Sequence, residues 1–252
     1  MIPISDANRA LRFPFVNLGL IILNILVYIY QVSLSGSLTL SQTSPALLQF
    51  FYEWSVIPAE YTSGRTILPD PPVIFLTLLS AMFMHGSLLH IGSNMLFLWV
   101  FGDNVESNMG HLKYLVFYLI CGILASGAHI LFNIGDRTPS LGASGAIAGV
   151  LAAYLVLFPR AQVRTLLILF IFITMTRVSA VFLIGIWFLL QFLQGLAELG
   201  LPRPEGAGGV AVWAHVGGFI AGFLLVFVFR GPRKRFEHGD YVAGPPRTGY
   251  YG

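Results

Sequence analysis

The chain has 252 residues, of which 56 % are hydrophobic and only 10 % charged, against roughly 25 % charged residues in an ordinary soluble domain. That composition excludes a water-soluble globule and points to a polytopic membrane protein whose partner is the lipid bilayer, with no nucleic acid among its partners. The formal net charge is +3.

Backbone groups in lipid must be satisfied internally, so apolar runs near 20 residues are expected to be helices and the fold class all-α. In chain order the expected spans are 16–34, 87–105, 113–133, 144–158, 178–196 and 211–230, separated by breaker-rich stretches such as GRTILPDPP and LPRPEGAGG. The domain reading is a segment 1–15, a six-helix membrane domain 16–230 with a long first outer loop 35–86, and a basic, Pro/Gly-rich tail 231–252 expected to be disordered. The run VRTLLILFIFITM, 163–175, is short and bracketed by Arg160, Arg164 and Arg177, so it is expected to lie in the interface or to re-enter. In this scheme eleven of the fourteen Lys and Arg fall on one side, with only Arg65, Arg137 and Arg203 on the other. The positive-inside rule then places both termini in the cytoplasm. About fifteen residues precede the first span, too few for a transit peptide, which favours a prokaryotic plasma membrane. Cys121, the single cysteine, has no partner for a disulfide and is read as packing.

Polar side chains inside a membrane are costly, so their positions direct the functional reading. HGSLLHIGSN opens the second span, GASG the fourth, and AHVGG lies early in the sixth. Six spans put His90, Asn94, Ser144 and His215 at one side of the membrane. A fourth span of fifteen residues is about 22 Å long, about 7 Å short of the hydrocarbon thickness, which recesses Ser144; His215 lies about 6 Å down its own span. Gly145 and Gly149 form one small-residue face and Ala214, Gly218 and Gly222 another, so these two helices are expected to approach closely. Ser144 is not in the G-x-S-x-G elbow of soluble hydrolases, because position 146 is Ala146. A serine at a helix start instead has free backbone N–H groups beside it, suited to an oxyanion.

GASG, His90 to Asn94 as HxxxN, and Ala214, His215, Gly218 and Gly222 as AHxxGxxxG, in that order, resemble the rhomboid intramembrane serine proteases over roughly residues 75–230. The resemblance implies a six-helix rhomboid-like bundle and a serine endopeptidase with a Ser-His dyad, Ser144 as nucleophile and His215 as general base. It implies that His90 and Asn94 hold the oxyanion with the Ser144 N–H, that Gly142 lines that hole, and that His85 has a structural part. Its substrates would be transmembrane proteins cut near the outer end of a helix, after a small residue; no cofactor and no metal are implied. Two positions bear on the family pattern. Leu76 and Thr77 stand where many members carry a Trp-Arg pair, and Glu106, with Asp103 nearby, fits the acidic residue at the inner end of the second span. The rival readings are a rhomboid-fold binder of membrane helices that does not cut, and a haem or transport protein using His90, His129 and His215. His129 is read as lying toward the inner end of the third span, away from the other two.

Overall fold

The computed structural model of the chain describes residues 1–8, 10–40, 44–68, 73–169, 172–199 and 211–231; the expected disordered tail falls almost entirely outside them, as does most of the last loop. A strand β1 (Ile2–Asp6) precedes helix α1 (Phe15–Ser35), which Gly36 ends in the left-handed conformation. Helix α1 has no capping side chain of its own. Glu106 supplies the cap from another helix: its carboxylate accepts the Val16 N–H at 3.0 Å and the Asn17 N–H at 2.7 Å, satisfying two of the orphan donors at a helix start.

The described part of the first loop holds short helices. It carries α2 (Pro45–Trp54), capped by the Ser44 hydroxyl, and α3 (Pro58–Ser63), each opened by a proline at its first turn. Next, α4 (Thr77–Ser80) is flanked by single 3-10 turns, so that 74–83 is one short helical stretch. Thr77 is buried and its hydroxyl lies 2.7 Å from that of Tyr61, which also donates to the Ile74 carbonyl. Tyr61 and Thr77 thus tie the loop together.

That stretch meets α5 (Leu88–Met109) at a bend of 81°, where the Ser87 hydroxyl caps α5 by accepting the His90 N–H. After Gly110 come α6 (His111–Phe132), α7 (Ser144–Leu157), β2 (Gln162–Leu169), β3 (Phe172–Ser179), α8 (Ala180–Glu198) and α9 (Val212–Phe229). Among the described residues α1, α6, α8 and α9 are long and apolar enough to cross a membrane, as is the bent pair of 74–83 with α5; α7 is a shorter apolar helix. The helix bounds fall within a few residues of the expected spans.

One expectation is corrected. The segment 163–175, expected to lie in the interface or to re-enter, holds strands among its described residues: β2 and β3 pair antiparallel, Gln162 opposite Ser179 through Leu169 opposite Phe172, and β1 adds to β2. The chain is therefore not all-α. A run too short to cross lipid as a helix satisfies its backbone across strands instead, and Val163 and Thr165 are buried while Arg164 between them is exposed, the period of two of a half-buried strand.

The core is built around α7. Every residue from Gly145 to Tyr154 is buried, as expected for a helix that is apolar on all sides. It packs against α5, α6 and α9. At two points its backbone meets that of α9 directly. A Cβ on Gly218 would strike the Gly145 carbonyl, and one on Gly222 would strike the Gly149 backbone. On the other flank Cys121 of α6 fills the space beside Gly149, the packing role expected of it.

At the far end of α7, Tyr154 donates to the Asp6 carboxylate at 2.6 Å and Asn104 donates to the same oxygen at 2.8 Å, which moors β1 to the bundle. Burial raises the Asp6 carboxyl from 3.8 to about 6, with the Tyr154 hydrogen bond opposing and the nearby Asp103 adding to the rise.

Two outcomes follow from this packing. Gly222→Ala should cost about 1–3 kcal/mol by overpacking, while Gly19→Ala, whose Cβ would meet nothing within 4 Å, should be neutral; thermal unfolding in detergent compares them. The folded chain also holds the Asp6 proton more tightly than the unfolded chain does, so stability should fall as pH rises through the interval from 3.8 to about 6 and stay low above it. Asp6→Asn should flatten that part of the unfolding profile.

Candidate active site

Ser144 is the first residue of α7, and the segment leading into it is pinned twice. Val56 and Ser140 exchange backbone hydrogen bonds at 3.0 and 2.8 Å, and the Gly142 N–H donates to the Ala81 carbonyl at 2.8 Å. Both partners come from the first loop, so that loop sets where α7 starts. Gly142 has φ +135, which side-chain-bearing residues rarely adopt, and a Cβ there would lie 2.9 Å from the His90 ring. The glycine is needed both for the turn and for the approach of that imidazole.

His215 stands in the first turn of α9 and is buried. The Ser144 Oγ lies 2.7 Å from its Nε2, joining residues 71 apart in the chain. The opposite ring nitrogen, Nδ1, donates to the Gln191 side-chain oxygen of α8 at 2.5 Å. The Trp187 ring, one turn earlier on α8, lies 5.7 Å from the His215 ring. Neither residue belongs to a motif; the sign available in the sequence was an amide, Gln191, inside the apolar run IWFLLQFLQG, where an unpaired polar group is expensive.

His90, on the first turn of α5, accepts weakly at Nδ1 from the Gly86 N–H at 3.5 Å, which leaves Nε2 on the side facing Gly142. Asn94, one turn further on, is buried and its amide nitrogen has no hydrogen-bond partner among the described residues. An unfilled buried donor is costly unless something comes to accept from it. His85 is fully buried with its ring 5.0 Å from that of His90, and its backbone is bracketed by the Gln31 amide of α1. A small cavity opens beside Ser144, lined by Ser126, Ser140, Leu141, Gly142 and Ala214. It is polar enough to receive water.

Ser144, His215, His90 and Gly142 are thus brought together, with Gly145, Gly149, Gly218 and Gly222 forming the close helix contact behind them. His129 corrects an expectation. α6 runs toward the site end of the bundle, where the Cβ position of Gly217 meets Ala128 and Phe132 stacks on Trp213 at 3.9 Å, so His129 lies near the His215 end and not the opposite one. No group of three or more His, Cys, Asp or Glu side chains among the described residues is arranged to hold a metal ion.

Residues 74–232, more than half the chain, match the Rhomboid domain family. The chain belongs to the rhomboid family. It is 26 % identical over 231 residues to the presenilin-associated rhomboid-like protein, mitochondrial, of Homo sapiens, covering 85 % of this chain and 56 % of that one. To rhomboid protein 1, mitochondrial, of Saccharomyces cerevisiae it is 27 % identical, over 79 % of this chain and 52 % of that one. To RHOMBOID-like protein 5 of Arabidopsis thaliana it is 31 % identical, over 67 % and 48 %. This rhomboid therefore spans about half the length of the curated relatives it matches. These relatives overturn the placement in a prokaryotic plasma membrane: they are eukaryotic, and two of them are named mitochondrial. The placement rested on a missing targeting segment, and a chain that covers half of its relatives carries no information on what precedes it.

Gly142→Ala should destabilise the folded protein by about 1–3 kcal/mol through the strained backbone alone, with a further loss from the displaced His90 ring. Thermal unfolding in detergent, compared with Gly86→Ala, whose Cβ would only reach ordinary contact with Leu141 at 4.0 Å, measures it.

Proposed function

We propose that this rhomboid is an intramembrane serine endopeptidase working through a Ser144–His215 dyad. The observation that carries the reading is the 2.7 Å contact between Ser144 Oγ and His215 Nε2, at the start of a buried helix, where the first backbone N–H groups find no partner within the helix itself. As Oγ attacks the scissile carbonyl, its proton passes to Nε2. The negative oxygen that forms is held by the Ser144 N–H, the His90 Nε2–H and the Asn94 amide. Collapse breaks the C–N bond, and the proton on Nε2 leaves with the amine. A water from the cavity beside Ser144 then repeats the sequence on the ester and frees the acid and the serine.

The substrates in this reading are single-span membrane proteins, cut near the end of the helix that reaches the dyad side. The bond must first be freed from helix hydrogen bonds, which helix-breaking residues make easier. The membrane domain in this reading is 16–230 with six crossings, α1, α5, α6, α7, α8 and α9. The short α7 is shielded from lipid by its neighbours.

Purified protein in liposomes, given a reporter with one transmembrane helix, tests the proposal. Ser144→Ala and His215→Ala should each lower cleavage at least about 10³-fold, and His90→Ala or Asn94→Ala about 10²- to 10³-fold, mainly in kcat. Equal cleavage by wild type and Ser144→Ala would refute the dyad. An uncut reporter that co-purifies with wild type would favour the helix-binding reading.

A further inference from the structure

We propose that Gln191 of α8 is the positioning residue of His215, fixing the ring with its proton on Nδ1 and its lone pair on Nε2 toward Ser144. This rests on the dyad reading above, to which it adds a third, uncharged member.

A side-chain carbonyl oxygen can only accept a hydrogen bond, and neutral imidazole carries one N–H. With Gln191 Oε1 at 2.5 Å from Nδ1, the proton must sit on Nδ1. The other tautomer would set two lone pairs against each other there and turn an N–H toward the Ser144 oxygen. That form has no base to offer the hydroxyl. His215 is 8 % exposed, so water is poorly placed to orient the ring in place of Gln191.

The surroundings of Gln191 agree. It lies on an apolar helix among Leu189, Leu190, Phe192 and Leu193, where an amide is costly unless it bonds within the protein. Trp187, four residues earlier and therefore on the same face of α8, flanks the His215 ring at an interplanar angle of 39°. One helix thus supplies both the acceptor that chooses the tautomer and the ring that limits its rotation.

The difference from a carboxylate partner is charge. An amide selects the tautomer without stabilising the imidazolium by a full negative charge, so the proton accepted from Ser144 is held less firmly and is more readily passed to the leaving amine. The titratable groups facing His215 are His90 from α5 and His129 from α6, neither of them acidic. A carboxylate introduced at 191 would be a new charge beside the ring, and its effect can be read directly.

The test uses the full chain in detergent, a fluorophosphonate probe that labels an activated serine, and reporter cleavage across pH. Ser144→Ala is compared first. Loss of labelling in that variant identifies Ser144 as the nucleophile, whereas equal labelling would remove the dyad reading and the role of Gln191 with it. With Ser144 labelled, Gln191→Ala should slow labelling and kcat by about 10- to 100-fold while KM moves less than about twofold, since tautomer and orientation are lost but substrate contacts are not. Gln191→Glu restores the acceptor, so it should recover most of the rate at high pH, with the acid limb of the profile moved to higher pH. A merely structural role predicts no such recovery with a moved limb, and a common loss of thermal stability in both variants. Labelling and cleavage by Gln191→Ala within about twofold of wild type at every pH would overturn the proposal.

Discussion

The contact between α7 and α9 at Gly145, Gly149, Gly218 and Gly222 governs the rest of the structure. Lipid gives helices no hydrophobic reason to associate, so close packing and interhelical hydrogen bonds must hold them. Here the backbones meet with no side chain between them, the Gly218 Cα against the Gly145 carbonyl and the Gly222 Cα against Gly149. Any Cβ at the two α9 glycines would force the helices apart by more than a hydrogen bond tolerates. The 2.7 Å contact between Ser144 and His215 exists because that spacing exists.

The same contact explains why α7 is short and why its ends are held by other parts of the chain. A helix buried on every side has no lipid-facing surface to seat it, so polar groups at its termini locate it. At the start, the first loop fixes the entering segment through Val56 and Ala81. At the end, Tyr154 reaches the Asp6 carboxylate of β1. A loop, a strand and a helix from distant parts of the chain thereby act on one hydroxyl. The hydrogen bond of Gln191 to His215 extends this pattern to α8, whose remaining faces are largely apolar.

Polar chemistry in such a site requires its groups to be satisfied or waiting. The His215 ring is occupied at both nitrogens and Glu106 is spent on the N-terminus of α1, whereas the Asn94 amide nitrogen has no partner among the described residues. A buried donor left open beside His90 is compatible with a ligand oxygen arriving there, and this distinguishes it from the saturated network around Asp6.

The amino-acid sequence by itself determined the membrane class, the helix bounds to within a few residues, and the small-residue faces, because apolar length and the spacing of glycines are local properties of a helix. It also marked Ser144, His215, His90 and Asn94, since a polar residue in an apolar run stands out without any knowledge of its neighbours. The β-hairpin was hidden: only Val163, Arg164 and Thr165 alternate clearly, and the uniformly apolar residues after them fit a helix as well as a strand. The alternation of spans already puts His129 at the site end of α6, whereas the reach of Gln191 and Trp187 of α8 to His215 of α9 was decided by the tertiary structure. No periodicity within α8 encodes the rotation of one helix about its axis relative to another; that angle is set by packing between them, and the hydrogen bond to His215 follows from it.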